Sequence, residues 1–237
     1  MKIIAVMPAY NEEVMIVDVV NETRKYVDDI IVVDDCSTDR TFHIIQGLGV
    51  KWVLHNRNYG AGRATKNGIN TALRHKADVV ITLDSDGQHV PKDIQKLLYP
   101  IVMNKADVVI GSRFIQPLGY EKLKELKMIK VPKYREFGIK VITWFFNFGS
   151  KQKIKDSQCC FRAFNKRSLQ SFKIEENGFG FTCETLIKCR KAGLRIQEVP
   201  VTCIYHSVFR LNSSMNPIKQ AFITIIKTLY WRLKLWS

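Results

Sequence analysis

The chain has 237 residues, 46% hydrophobic and 25% charged, a balance that excludes intrinsic disorder and suits a folded globular protein. That length allows one large domain with a full core, without metal or disulfide staples. The formal net charge of +15 calls for anionic partners: nucleic acid, a membrane surface or phosphorylated substrates.

The positive field belongs to the second half. Between Ile115 and Lys155 ten Lys and Arg residues stand against three Glu, and from Pro200 to Ser237 five basic residues have no acidic counterpart. No nucleic-acid motif or base-stacking platform accompanies this charge, so nucleic acid is not the expected partner. Six cysteines show neither a C-x-x-C pair nor zinc-ligand spacing, which predicts free thiols in a reducing cytosol. The chain opens directly on a strand pattern without signal-peptide architecture, and no run reaches the roughly 18 apolar residues of a membrane span. A cytoplasmic protein is expected, peripheral on the cytosolic face of a membrane.

In chain order, buried strands are predicted at Ile3–Met7, Ile30–Val33, Lys51–Leu54, Val79–Leu83 and Val108–Ile110. Helices are predicted between them at Glu12–Val27, Thr41–Leu48, Ala61–Lys76 and Pro91–Asn104, the last with Pro91 in its first turn. This alternation predicts an α/β fold with a mostly parallel central sheet covered on both faces. Beyond Arg113 the alternation stops. Gln116–Lys133 reads as a basic loop and Phe137–Phe148 as an aromatic helix. Asp156–Phe164 and Arg195–Tyr205 read as strands flanking a helix at Thr182–Ala192, and Pro217–Leu235 as a final helix. The expected organisation is one domain over residues 1–210 and an amphipathic helical extension over 211–237. In that extension Ile218, Phe222, Ile225, Ile226, Leu229 and Leu233 share a stripe suited to a membrane interface, to the core or to a second subunit.

Ligands of open parallel sheets bind beyond the carboxyl ends of the strands. Four polar clusters follow strands in this way: Pro8–Glu13, Asp34–Asp39, Asp84–His89 and Gly111–Arg113. Asp84 and Asp86 can converge on one hard cation as the chain turns at Gly87, with Gln88 adding a neutral oxygen; Mg²⁺ or Mn²⁺ suits such oxygens and binds phosphates as well. A solvated turn is the plain alternative. Asp34 and Asp35 can accept from a ribose or a base, whereas Ser37–Asp39 suit helix capping. Tyr10 can stack on a base and Glu12 can bond a ribose or a base. Arg113 suits bidentate phosphate contact or a structural ion pair. Asn58–Gly62 resembles a phosphate cradle but lacks the Lys-Ser/Thr of a P-loop, and close backbone packing explains it equally well.

Taken in order, Pro8–Glu12, Val33-Asp34-Asp35, Asn58–Gly62, Asp84–His89, Gly111–Arg113, Asp156–Gln158 and Phe161-Arg162 resemble family 2 glycosyltransferases, and among them the dolichol-phosphate mannosyltransferase and polyprenyl-phosphate glycosyltransferase branch. The resemblance implies a GT-A fold, a Rossmann-like αβα sandwich. By it, Pro8, Tyr10, Glu12, Val33 and Asp35 hold the nucleoside of a nucleotide-sugar donor, and Asp84, Asp86 and Gln88 carry the metal and diphosphate. Arg113 grips phosphate, Arg135 takes the place of an acceptor-side arginine, and Arg210 stands near the place of a late-loop arginine. Three departures fall on the acceptor side: Ile139 replaces a serine, Cys159-Cys160 replaces Ser-Gly, and the late loop at Arg210 is degenerate. The implied reaction is inverting transfer from GDP-mannose or a UDP-hexose to a polyprenyl or dolichyl phosphate. A hydroxyl acceptor is the alternative and would need a base, for which Asp156 and Glu184 are the candidates. A non-catalytic nucleotide-sugar-binding module is the remaining reading.

Overall fold

The computed structural model describes residues 1–115, 131–204 and 217–236. Seven strands form one sheet in the order β3-β2-β1-β4-β6-β5-β7. The strands are β1 (Ile3–Ala9), β2 (Asp29–Asp34), β3 (Lys51–Leu54), β4 (Val79–Thr82), β5 (Val108–Ser112), β6 (Arg162–Asn165) and β7 (Ile196–Pro200). All run parallel except β6, which lies antiparallel between β4 and β5.

The central strands are apolar throughout because helices cover them. Ile4 to Met7 on β1 and Val80 and Ile81 on β4 have no exposed surface. Helix α3 (Ala61–Arg74) packs on β1 and β2, and α4 (Ile94–Val102) packs on β5 and β6. The shorter α1 (Ile16–Thr23) and α2 (Thr41–Gly47) complete the first half. Helix α1 begins at Ile16 rather than at Glu12, because Glu12–Met15 form a separate turn in which Glu12 O accepts from the N–H groups of Met15 and Ile16.

In the second half, α5 (Lys133–Asn147), α6 (Lys166–Ser171), α7 (Phe181–Lys191) and α8 (Pro217–Trp236) surround the β5–β7 side. Only the end of the predicted strand Asp156–Phe164 pairs; residues 156–161 are irregular and are held by side chains. Likewise β7 stops at Pro200, and the segment after it makes a single bridge, Cys203 to His89. Helix α8 is tied to the rest of the protein: it packs on α5 and α7, and Trp231 is 2% exposed within the core. All six cysteines are free. No helix among the described residues is long and apolar enough to cross a membrane. The Gln116–Lys133 loop lies largely, and Arg210 wholly, outside the described residues.

Candidate active site

The carboxyl ends of β1, β2, β4 and β5 carry the polar clusters to one edge of the sheet. Pro8 and Val33 are register partners across β1 and β2. Val33 has no exposed surface, and its side chain packs in the core. The two loops beyond these strands are laced together. Ser37 Oγ accepts from Asn11 N–H at 3.0 Å, Asn11 Oδ1 accepts from Thr38 N–H at 2.8 Å, and Thr41 Oγ1 accepts from Glu12 N–H at 2.7 Å. The lacing leaves the Tyr10 side chain 37% exposed above the edge.

Asp34 and Asp35 are both buried and serve the loops. Asp34 accepts from the Ser37 N–H and hydroxyl. Asp35 Oδ1 meets His55 Nδ1 at 2.6 Å and accepts from Tyr59 N–H at 2.9 Å, while its Oδ2 accepts from Gly60 N–H at 2.6 Å. With both oxygens occupied, Asp35 positions the Asn58–Gly62 turn. That turn is a backbone-packing device: a Cβ at Gly62 would stand 2.4 Å from the Glu176 carbonyl oxygen, and Arg63 N–H donates to Asn177 O at 3.1 Å.

The turn after β4 brings Asp84 and Asp86 together with Glu12. Gly87 takes φ +72°, and Asp86 Oδ1 accepts from Gln88 N–H at 2.9 Å, which closes the turn. Ser85 Oγ donates to Pro8 O at 2.8 Å and so locks this turn to the β1 loop. Burial raises the Asp84 carboxyl against the opposing fields of Arg113 and Arg162 and a hydrogen bond from the Cys160 thiol. Burial and then Asp84 push Asp86 up to about 7. Burial, then Asp86, Asp84 and Asp39, push Glu12 up to about 8. Carboxylates gathered in a half-buried recess are of the chemistry that suits a hard divalent cation. Among the described residues no three His, Cys, Asp or Glu side chains form a ready cage. The Asp84 and Asp86 carboxylates would suit Mg²⁺ or Mn²⁺ that keeps positions for water and phosphate oxygens.

Across the gap, Arg113 forms a two-pronged pair with Asp156, Nε to Oδ2 at 2.7 Å and Nη2 to Oδ1 at 2.8 Å. Burial raises the Asp156 carboxyl, but the Arg113 charge and hydrogen bonds outweigh it and hold Asp156 below the usual carboxylate range. Asp156 thus pairs with Arg113 through both of its oxygens. Glu184 lies within the fold. It has no exposed surface, and its oxygens accept from Glu175 N–H, Glu176 N–H and Lys188 Nζ, so it anchors the loop that packs on Gly62. Arg135, half-buried at the start of α5, extends a favourable field to Asp86.

The sequence did not disclose the role of Arg162. It is 1% exposed and donates to the carbonyls of Cys159, Thr182 and Ser157, holding the irregular segment in place while its charge acts on Asp84. The signal available was a lone arginine opening an apolar strand.

Comparison with known proteins bears on the family and the fold. The family model for glycosyl transferase family 2 matches residues 4–172. The chain is 36% identical to the UDP-N-acetylglucosamine–dolichyl-phosphate N-acetylglucosaminyltransferase of Methanococcus voltae, over 84% of each protein. It is 27% identical to the undecaprenyl-phosphate mannosyltransferase of Micrococcus luteus, over 96% of this chain and 93% of that protein. Among solved structures, glucosyl-3-phosphoglycerate synthase of Mycobacterium tuberculosis, crystallised with Mn²⁺, UDP and glucosyl-3-phosphoglycerate, superposes with a TM-score of 0.67 at 20% identity, covering 99% of this chain and 79% of that one. The sheet order, the paired aspartates beyond β4 and the family match lead to one conclusion: this chain belongs to glycosyl transferase family 2 and has the GT-A fold.

Proposed function

We propose that the protein is a metal-dependent, inverting glycosyltransferase that moves a sugar from a nucleoside diphosphate to a polyprenyl phosphate. The observation that carries this reading is the opposition of two charged banks, Glu12, Asp84 and Asp86 facing Arg113 and Arg135. Asp84, Asp86 and Gln88 would hold the metal, which when bound supplies Lewis-acid charge for a diphosphate leaving group. Tyr10 stacks on the base, and Glu12 bonds the ribose. The acceptor oxygen attacks the anomeric carbon from the face opposite the diphosphate, so one C–O bond forms as the other breaks and configuration inverts.

The chemistry of the candidate bases favours an acceptor that arrives ionised. Asp156 is committed to Arg113 and Glu184 is sealed in the core. A lipid phosphate needs no proton removed, and Arg113 and Arg135 would receive its charge. The relatives named for dolichyl and undecaprenyl phosphate support the same acceptor class. Peripheral contact at a cytosolic membrane face is supported by α5 and α8, which expose Phe137, Trp144, Phe222 and Leu233 beside Lys140 and Lys219.

The test uses radiolabelled nucleotide sugars with membranes and Mn²⁺, followed by lipid extraction. Label is expected in the organic phase and should fall by about 100-fold or more in Asp86→Ala. Label confined to polysaccharide or protein would overturn the lipid-phosphate acceptor.

A further inference from the structure

Glu198 is a carboxylate placed inside an edge strand. On β7 it shares one face with Ile196 and Pro200, is half-buried, and has Ile110 of β5 as its register partner. Its oxygens serve the neighbouring chain. Oε2 accepts from Lys155 N–H at 2.7 Å and Oε1 from Asp156 N–H at 2.9 Å. The Ser112 hydroxyl donates to the same carboxylate.

Both routes from Glu198 end on Arg113. On one side stands Asp156, seated by its own N–H. Its side chain takes Arg113 at Nε and Nη2, and its Oδ2 also accepts from Arg113 N–H at 3.2 Å. On the other side Ser112, with no exposed surface, precedes Arg113 at the end of β5. Its Oγ accepts from Phe114 N–H at 3.4 Å, so one hydroxyl ties the residues on either side of Arg113 and is itself tied to Glu198.

The segment that bears Asp156 has no sheet ladder to hold it. Thr143 Oγ1 accepts from Ser157 N–H at 3.2 Å, and Arg162 takes the Ser157 and Cys159 carbonyls. Glu198 supplies the hold on Asp156 itself and on the residue before it. Where side chains stand in for a ladder, a lost acceptor leaves a backbone N–H with no substitute.

We propose that Glu198 is a positioning residue for the acceptor: through Asp156 and Ser112 it fixes the Arg113 guanidinium in the orientation that receives the acceptor phosphate. The inference rests on the lipid-phosphate reading above. A guanidinium grips phosphate through parallel N–H bonds, so its orientation counts as well as its charge. Glutamine at 198 keeps the size but offers one acceptor oxygen in place of two, and turns an N–H₂ group toward a backbone donor.

The test is a double-variant cycle on the full-length protein with Mn²⁺ and UDP, titrated with farnesyl phosphate and followed by phosphorus NMR. Wild type, Glu198→Gln, Arg113→Gln and the double variant are compared, and UDP affinity is measured in each. Ser112→Ala, a smaller change on the second route, serves if Glu198→Gln does not fold. Asp107→Asn is the control, a buried carboxylate paired with Arg195 at the opposite end of β5 and β7. Glu198→Gln is expected to weaken farnesyl phosphate about tenfold, and to add nothing to the loss in Arg113→Gln. Ser112→Ala should show a smaller loss of the same kind, with UDP affinity retained and Asp107→Asn unchanged. Losses that add in the double variant would make Glu198 a general support of the fold and overturn the proposal. Unchanged farnesyl phosphate affinity in Glu198→Gln and Ser112→Ala, or in Arg113→Gln, would overturn it too. Wild-type protein that binds farnesyl phosphate but passes no sugar to it would sink the transferase reading alone; wild-type protein that does not bind it would sink both.

Discussion

Asp156 and Asp86 are both buried carboxylates, yet their neighbours push them in opposite directions. Asp86 has another carboxylate beside it, whereas Asp156 has a two-pronged arginine. The pairing of Arg113 with Asp156 spans 43 residues of sequence, and no local pattern could announce it. Sequence reasoning therefore named both residues but read their relation as two separate roles. If Asp156 only positions Arg113, Asp156→Asn should lower kcat while leaving the shape of the pH–rate profile intact. It should also cost roughly 3–5 kcal/mol of stability, because a buried guanidinium loses its partner. Disappearance of the acidic limb of the profile in this variant would make Asp156 the base instead.

At the scale of elements, strands and helices bounded by strong hydrophobic periodicity were legible, and the polar turns that follow them were legible too. Less so were segments whose order comes from distant side chains. Residues 156–161 lead into an apolar run and read as strand with it, yet only β6 pairs, because Arg162 and Asp156 fix the chain before it. The amphipathic stripe of α8 left its partner open, and the structure shows one face turned inward. Trp231 donates Nε1–H to Glu176 Oε1 at 2.9 Å, and the ammonium groups of Lys188 and Lys234 stand 4.3 and 4.4 Å from its ring centroid. Trp231→Ala should therefore destabilise the whole chain by about 3–5 kcal/mol in denaturant titration. A loss near zero would mark α8 as a detachable extension. Glu176 also belongs to the loop that covers Gly62, so α8 braces the turn set by Asp35.

For the molecule as a whole, the carboxylate bank is a source of instability when no cation is bound. Glu12 and Asp86 titrate near about 8 and about 7 in the fold, against ordinary values of about 4 in the unfolded chain. The folded state then holds protons that the unfolded state has released, so these two groups lower stability as pH climbs from about 4 through about 8. In chelator, the melting temperature should fall across that window, and less steeply in Glu12→Gln. Mn²⁺ should restore more at pH 8 than at pH 6, since deprotonated ligands bind it. A melting temperature that does not change over the window, or a Mn²⁺ effect larger at pH 6, would contradict this picture.

The antiparallel strand β6 has a consequence for reach. Neighbouring strands lie about 4.8 Å apart, so inserting β6 sets the ends of β4 and β5 about 10 Å from each other. Asp84 follows one of those ends and Arg113 the other. Were β4 and β5 adjacent, those ends would lie only about 4.8 Å apart. With one strand's width between them, the sheet acts as a gauge block that holds the Asp84 turn and the Arg113 turn a fixed width apart.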